Sequence, residues 1–124
     1  MILGVGIDIV HVGRIRHWES VPGLVERFFH PEEAADARAR GEGGESLSLA
    51  ARFAAKEAFG KALGTGLAGI RLGDIQVVND RNGRPEIVLH GTALARLRDV
   101  GGARLHVSLT HERDNAVAVV IIEG

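Results

Sequence analysis

Between Leu49 and Leu63 the chain is rich in alanine and free of proline, and Gly64 follows immediately. Alanine loses the least on entering a helix, and glycine supplies a common helix stop, so this run predicts a long helix. The other elements are shorter. Ile2 to Val10 reads as a strand with Leu3, Val5, Ile7 and Ile9 on one face and Gly4, Gly6 and Asp8 on the other, leaving the second face open beside Asp8. Arg14 to Ser20 and Leu24 to Phe29 suit short helices interrupted at Pro22-Gly23, and His30-Pro31-Glu32-Glu33 opens a third that fades near Gly41. Arg40 to Glu45 reads as a mobile loop, with Ser46 or Ser48 capping the long helix. Asp74 to Asn79 and Pro85 to Leu89 flank an Asn82-Gly83 hairpin signal. Thr92 to Val100 follows as a helix, and Arg104 to Thr110 and Ala116 to Ile122 form a final strand pair. The order predicts an α+β domain over residues 1–124, with a mainly antiparallel sheet, one long helix and shorter helices.

The 124 residues are 45% apolar, enough to build a core without covalent staples. The absence of cysteine excludes disulfides, thiolate nucleophiles and zinc-thiolate sites, and suits the cytoplasm. MILGVGIDIV has no basic leader, and no apolar run approaches the ~20 residues that span a bilayer, so no membrane association is expected. Lys and Arg (15) nearly balance Asp and Glu (16), and aromatic residues are only 4% of the chain. That balance and the scarcity of stacking platforms argue against nucleic acid as a partner.

Asp8 interrupts an apolar strand, where a carboxylate either caps a nearby backbone group or serves a cation. On the long helix Phe53, Glu57 and Lys61 recur every four residues and share a face, as an ordinary surface pair or as part of a site. Gly64-Thr65-Gly66 makes a donor-rich turn beside Lys61, suited to phosphate oxygens but not arranged as a Walker loop. Ser108-Leu109-Thr110-His111 ends a strand, and alternation separates Ser108 from His111; with no GxSxG sequence, a serine hydrolase is disfavoured. The histidines lack metal-ligand spacing, and Trp18 reads as a packing or interface residue.

Gly6 to Val10 (GIDIV), Arg14, Arg52 to Gly66 (RFAAKEAFGKALGTG), Asn79 to Pro85 (NDRNGRP) and Ser108 to His111 (SLTH) together resemble the bacterial holo-acyl-carrier-protein synthases of the phosphopantetheinyl transferase superfamily. The resemblance implies transfer of 4′-phosphopantetheine from coenzyme A to a serine of apo-acyl carrier protein, for fatty acid biosynthesis. It implies Mg²⁺ on Asp8 and Glu57, with Glu57, Lys61 and Asp8 catalytic and Glu57 acting directly or through water. It places coenzyme A against Arg52, Lys61, Gly64, Thr65, Gly66, Pro85, Thr110 and His111, and the carrier against Arg14, Trp18 and Arg27. Arg14 is expected to lie away from the Lys-Glu-Ala-x-x-Lys block. The family's assembly implies a homotrimer with active sites between subunits. Departures from the family pattern are His11, where relatives often carry an acid, the Val21-Pro22-Gly23 break in the carrier-binding helix, and Thr110 in place of a common serine.

Overall fold

A computed structural model describes residues 1–124. Strand β1 (Ile2–His11) leads into α1 (Val12–Glu19), α2 (Leu24–Phe28) and α3 (Pro31–Arg38), and the long helix α4 (Gly44–Leu63) follows. After a 3₁₀ turn at Leu72–Asp74 come β2 (Ile75–Asn79), β3 (Pro85–Leu89), α5 (Gly91–Asp99), β4 (Arg104–His111) and β5 (Asn115–Glu123). β5 lies between β1 and β4 in one antiparallel sheet, and β2 and β3 form a second antiparallel pair. The expected α+β class with antiparallel sheets and one long helix is thus the observed one.

α4 is buried on nearly every side, from Leu49 to Leu63. Its alanines leave room for neighbours to approach the helix backbone, and the sheet of β1 and β5 uses that room. A Cβ added at Gly4 would lie 1.8 Å from the Ala62 carbonyl oxygen, and one at Gly6 would lie 1.9 Å from that of Ala58. Only glycine permits such an approach.

This packing reverses the expected roles of the two faces of β1. The glycine face is closed against α4, whereas Leu3, Val5, Ile7 and Ile9 are 42, 58, 62 and 62% exposed. The two faces alternate as the sequence predicts, but alternation alone does not say which face a helix will cover. Val5, Ile7 and Ile9 pair across the strands with Ile121, Val119 and Val117, so the outward apolar surface extends onto β5.

The start of α4 also differs from expectation. Gly43, with φ +81°, precedes the first helical residue and provides no side-chain cap. Ser46 and Ser48 lie inside the helix because their hydroxyls have other partners: Ser46 donates to the Glu19 carboxylate, and Ser48 accepts from Arg52 Nε at 3.1 Å. The loop before α4 is correspondingly shorter than predicted. The helix ends where expected, at Gly64 with φ +82°.

Gly6→Ala is expected to cost at least about 3 kcal/mol, the upper part of the overpacking range, because the clash is with backbone rather than a movable side chain. Gly73→Ala, whose added Cβ has its nearest neighbour at 4.0 Å, should be nearly neutral. Urea denaturation of both variants checks the contrast, which equal midpoints would contradict.

Candidate active site

Where the glycine face of β1 ends, Asp8 faces the last turns of α4. Lys61 Nζ donates to the Ile7 carbonyl oxygen at 3.0 Å and to Asp8 Oδ1 at 3.1 Å. The ordinary surface pair between Glu57 and Lys61 is therefore not the contact formed; the ammonium bridges α4 to β1 instead. Glu57 is half-buried beside them. Burial, followed by the negative charge of Asp8, pushes the Glu57 pKa above the usual carboxylate value, against the opposing pull of Arg14 and Lys61.

Two neighbouring, partly exposed carboxylates make an oxygen donor set suited to a hard divalent cation such as Mg²⁺. No group of three or more potential side-chain ligands occurs. An ion held here would take the rest of its shell from water or substrate oxygens, as Mg²⁺ commonly does.

A second charged cluster occupies another face of the same helix, since adjacent helical residues are rotated by about 100°. Lys56 is fully buried, with Nζ 2.7 Å from Glu33 Oε1 and 2.9 Å from the Leu72 carbonyl oxygen, and with a further bond to that of Ile75. Glu33 also accepts from the backbone N–H groups of His30 and Val77, each at 3.0 Å. Burial draws the Lys56 pKa down, opposed by the charge of Glu33. Every buried side-chain polar atom has a hydrogen-bond partner. This network joins α3, α4, the 3₁₀ turn and β2, a structural role that the sequence reading did not assign to Lys56 or Glu33. The available signal was a lysine among alanines and phenylalanines, at a helical position out of register with Glu57.

Arg52, one turn before Lys56, pairs with Asp36 and donates to the Val77 carbonyl oxygen. Its side chain is 4% exposed and its guanidinium is largely committed to these partners, yet Arg52 also borders a cleft of about 490 Å³. Arg40, Ser48, Asn79, Pro85 and His111 line the same cleft. Three predicted coenzyme A contacts, Arg52, Pro85 and His111, thus come together, while Arg40 and Asn79 were not anticipated.

Asp8, Glu57, Lys61 and the Gly64-Thr65-Gly66 turn do not line that cleft. Thr110 pairs with Val117 and so belongs to the opposite, outward face of β4 from His111. Within one chain, the predicted coenzyme A contacts therefore fall into separate groups. Gly64 and Gly66 do form the expected tight turn, with φ of +82° and +71°.

Arg14, Trp18 and Arg27 gather on one aromatic patch. Trp18 packs against Phe28 and Phe53 at centroid distances of 5.1 and 4.7 Å, and the Arg14 guanidinium lies 5.0 Å from the Trp18 ring and 5.3 Å from Phe53. Arg27 lies 5.9 Å from the Phe28 ring. Arg14 is not remote from the helix motif: it sits against Phe53 of α4, and its charge is felt at Glu57. His11 accepts from the Gly13 N–H at 3.1 Å and caps α1, a local task for a residue that departs from the family pattern.

A family model described as the 4′-phosphopantetheinyl transferase superfamily matches residues 4–120. A holo-[acyl-carrier-protein] synthase of Treponema denticola is 60% identical over 124 residues, covering 100% of both chains. The chain belongs to the holo-[acyl-carrier-protein] synthases of this superfamily. Among solved structures, the synthase of Neisseria meningitidis aligns with a TM-score of 0.87 at 36% identity, covering 100% of both chains. The Bacillus anthracis synthase, in complex with CoA (3′,5′-ADP), aligns at 0.83 with 32% identity, covering 98% of this chain and 96% of that one. The matched region contains most of β1, the whole of α4 and the Lys-Glu-Ala-x-x-Lys block on which the sequence resemblance rested.

Lys56→Met is expected to destabilise the fold by about 3–5 kcal/mol, because it leaves the Glu33 carboxylate buried without its ammonium. Combining it with Glu33→Gln should recover part of that loss. Chemical denaturation of both variants provides the measurement, and a double variant less stable than the single one would contradict the pairing.

Proposed function

We propose that Asp8, Glu57 and Lys61 form the reacting centre for the enzyme's transfer of phosphopantetheine from coenzyme A to apo-acyl carrier protein. The supporting observation is the half-buried carboxylate pair, with Lys61 bonded to Asp8 and Glu57 beside them, its pKa raised by burial and by the charge of Asp8. Asp8 and Glu57 are the residues that would hold Mg²⁺. When bound, the ion supplies positive charge that neutralises the pyrophosphate and favours attack at phosphorus.

The protein's own groups have distinct tasks. Glu57 accepts the proton of the carrier serine, directly or through water. The serine oxygen forms a new bond to the β-phosphorus of coenzyme A. The bond from that phosphorus to the bridging oxygen breaks, and 3′,5′-ADP leaves with the electron pair. Lys61 is 56% exposed and stabilises charge on the departing phosphate with the N–H left over from its two protein contacts. Because the nucleophile belongs to the carrier, this chain needs no activated serine or cysteine.

The cleft at Arg52, Pro85 and His111 is assigned to the nucleotide end of coenzyme A, and the aromatic patch with Arg14, Trp18 and Arg27 to an acidic surface of the carrier. Residues 1–124 act as one domain, consistent with a continuous core linking the long helix to both sheets. No helix is long and apolar enough to cross a membrane, and the cysteine-free composition suits the cytoplasmic setting assigned to the reaction.

The enzyme is further proposed to be a homotrimer with active sites between subunits. The exposed row Leu3, Val5, Ile7 and Ile9 supports an interface, since exposed apolar surface of this kind commonly marks association. The absence of the reacting carboxylates from the Arg52–His111 cleft supports completion of the site by a neighbour.

Asp8→Ala and Glu57→Gln should each reduce carrier modification by about 10²-fold or more, with unchanged circular dichroism. Mass spectrometry of the carrier and calorimetric Mg²⁺ titration in the presence of coenzyme A check the effect. Unaltered metal affinity in both variants would reject the metal site. Glu57→Gln should also raise Tm at neutral pH, because the wild-type carboxylate is ionised against burial and Asp8. That gain should fade as pH falls through the raised folded pKa and the wild-type group protonates.

Val5→Glu introduces charge into the apolar row at a distance from Asp8. It should convert the trimer to 13.2 kDa monomers and remove most activity while leaving helicity intact. Sedimentation equilibrium with parallel transfer assays tests this; a fully active monomer would overturn the shared-site arrangement.

A further inference from the structure

The turn after α4 is held from outside by one residue of α5. Arg96 Nη1 donates to Thr65 Oγ1 at 3.2 Å, and Nη2 donates to the Ala68 carbonyl oxygen at 3.1 Å. Gly69, at φ +78°, passes so close that an added Cβ would lie 3.2 Å from Nη2. The turn's own bonds run from the Gly66 N–H to the Gly60 carbonyl oxygen and from the Ile70 N–H to that of Leu67, each at 3.0 Å. Neither fixes the Thr65 side chain, so Arg96 determines where that hydroxyl points.

The mounting of Arg96 is rigid. Thr92, one helical turn earlier on the same face of α5, donates through its backbone N–H and its hydroxyl to Asp74 Oδ2 at 2.9 and 2.7 Å. The Thr92 hydroxyl also accepts from the Arg71 N–H at 2.9 Å. α5 is thus fastened to the segment just beyond the turn, with Arg96 reaching back across it. Arg96 takes part in none of the chain's ion pairs. A guanidinium has five N–H donors, so its charge and some donor capacity remain available beside the end of α4.

We infer that Arg96 is a positioning residue for coenzyme A: it fixes the Thr65 hydroxyl and the Gly64–Gly69 turn beside Lys61, in the orientation that receives a phosphate group. This inference rests on the reading that the Lys61 turn faces the coenzyme A phosphates. Arg96 acts through Thr65 and the turn, and its charge adds to the local attraction for an anion.

The test compares Arg96→Ala, Arg96→Lys, Thr65→Val, the Arg96→Ala/Thr65→Val double variant and Lys61→Ala. For each, the kcat, the KM for coenzyme A and for carrier, the coenzyme A affinity by calorimetry and Tm are measured. Arg96→Ala should weaken coenzyme A binding and raise its KM by about three- to tenfold, the effect of losing one or two hydrogen bonds. The carrier KM should stay within about twofold, by the same estimate for a group that touches only the turn.

Arg96→Lys should recover only part of the loss, because one ammonium cannot reproduce the two-point fork. The double variant should be no weaker than the worse single variant, the pattern expected when one residue acts through the other. Thr65→Val carries the test should Arg96→Ala fail to fold, and unchanged coenzyme A affinity in Thr65→Val would then overturn the inference. Additive losses, or coenzyme A and carrier KM values rising together with a falling Tm, would also overturn it. Loss of affinity in Lys61→Ala without loss in Arg96→Ala rejects the role of Arg96 alone. Unchanged affinity in both rejects the turn's assignment as well.

Discussion

The contact of α4 with β1 sets the geometry on which the rest depends. Gly4 and Gly6 lie against the carbonyl oxygens of Ala62 and Ala58, and neither position has space for a Cβ. Asp8 is the next residue on the same face of the strand. Glu57 immediately precedes Ala58, and Lys61 immediately precedes Ala62. A helix brought to backbone distance at those alanines therefore carries a carboxylate and an ammonium to the end of the glycine row. The same constraint turns Leu3, Val5, Ile7 and Ile9 outward, so one close approach produces both the charged site and the open apolar face.

α4 carries two groups of charge with contrasting environments. Lys56 and Glu33 are fully buried, and their polar atoms are consumed by each other and by backbone groups. Such a cluster holds elements together and has little capacity left for a ligand. Asp8, Glu57 and Lys61 are partly exposed, with one ammonium serving two carboxylates unequally. The partial exposure of both carboxylates, rather than carboxylate identity alone, makes this second group the candidate cation site. Arg52 lies between these cases: it borders the cleft while spending much of its guanidinium on Asp36 and Val77.

Much of the fold was legible because the signals were local. Alanine content and Gly64 marked the long helix and its end, Asn82-Gly83 marked the hairpin, and the alternating pattern marked β1. Expectation and structure part mainly where a distant partner decides the outcome. Ser46 has a hydroxyl suited to a helix cap, but Glu19, 27 residues away, engages it inside α4 instead, while Ser48 is taken by Arg52 one turn further along the same helix. Arg14 was expected apart from the helix motif, yet the aromatic packing of Trp18 and Phe53 brings it to α4.

By itself the sequence determined the succession of helices and strands, the family, and the identity of Asp8, Glu57 and Lys61 as candidates, because periodicity, turn chemistry and motif spacing are written along the chain. Which face of β1 would be covered was a tertiary matter, as were the partner of Lys61, the burial of Lys56 with Glu33, and the clamp of Arg96 on the Lys61 turn. Each depends on groups distant in sequence: Lys61 and Asp8 are brought together by the packing of α4 on β1, and Arg96 meets Thr65 because α5, bonded to Asp74 and packed into the core through Ala93 and Leu97, lies beside the turn. Alternation and helical spacing specify the direction of a side chain relative to its own element, whereas its electrostatic environment is set by whichever other element packs there.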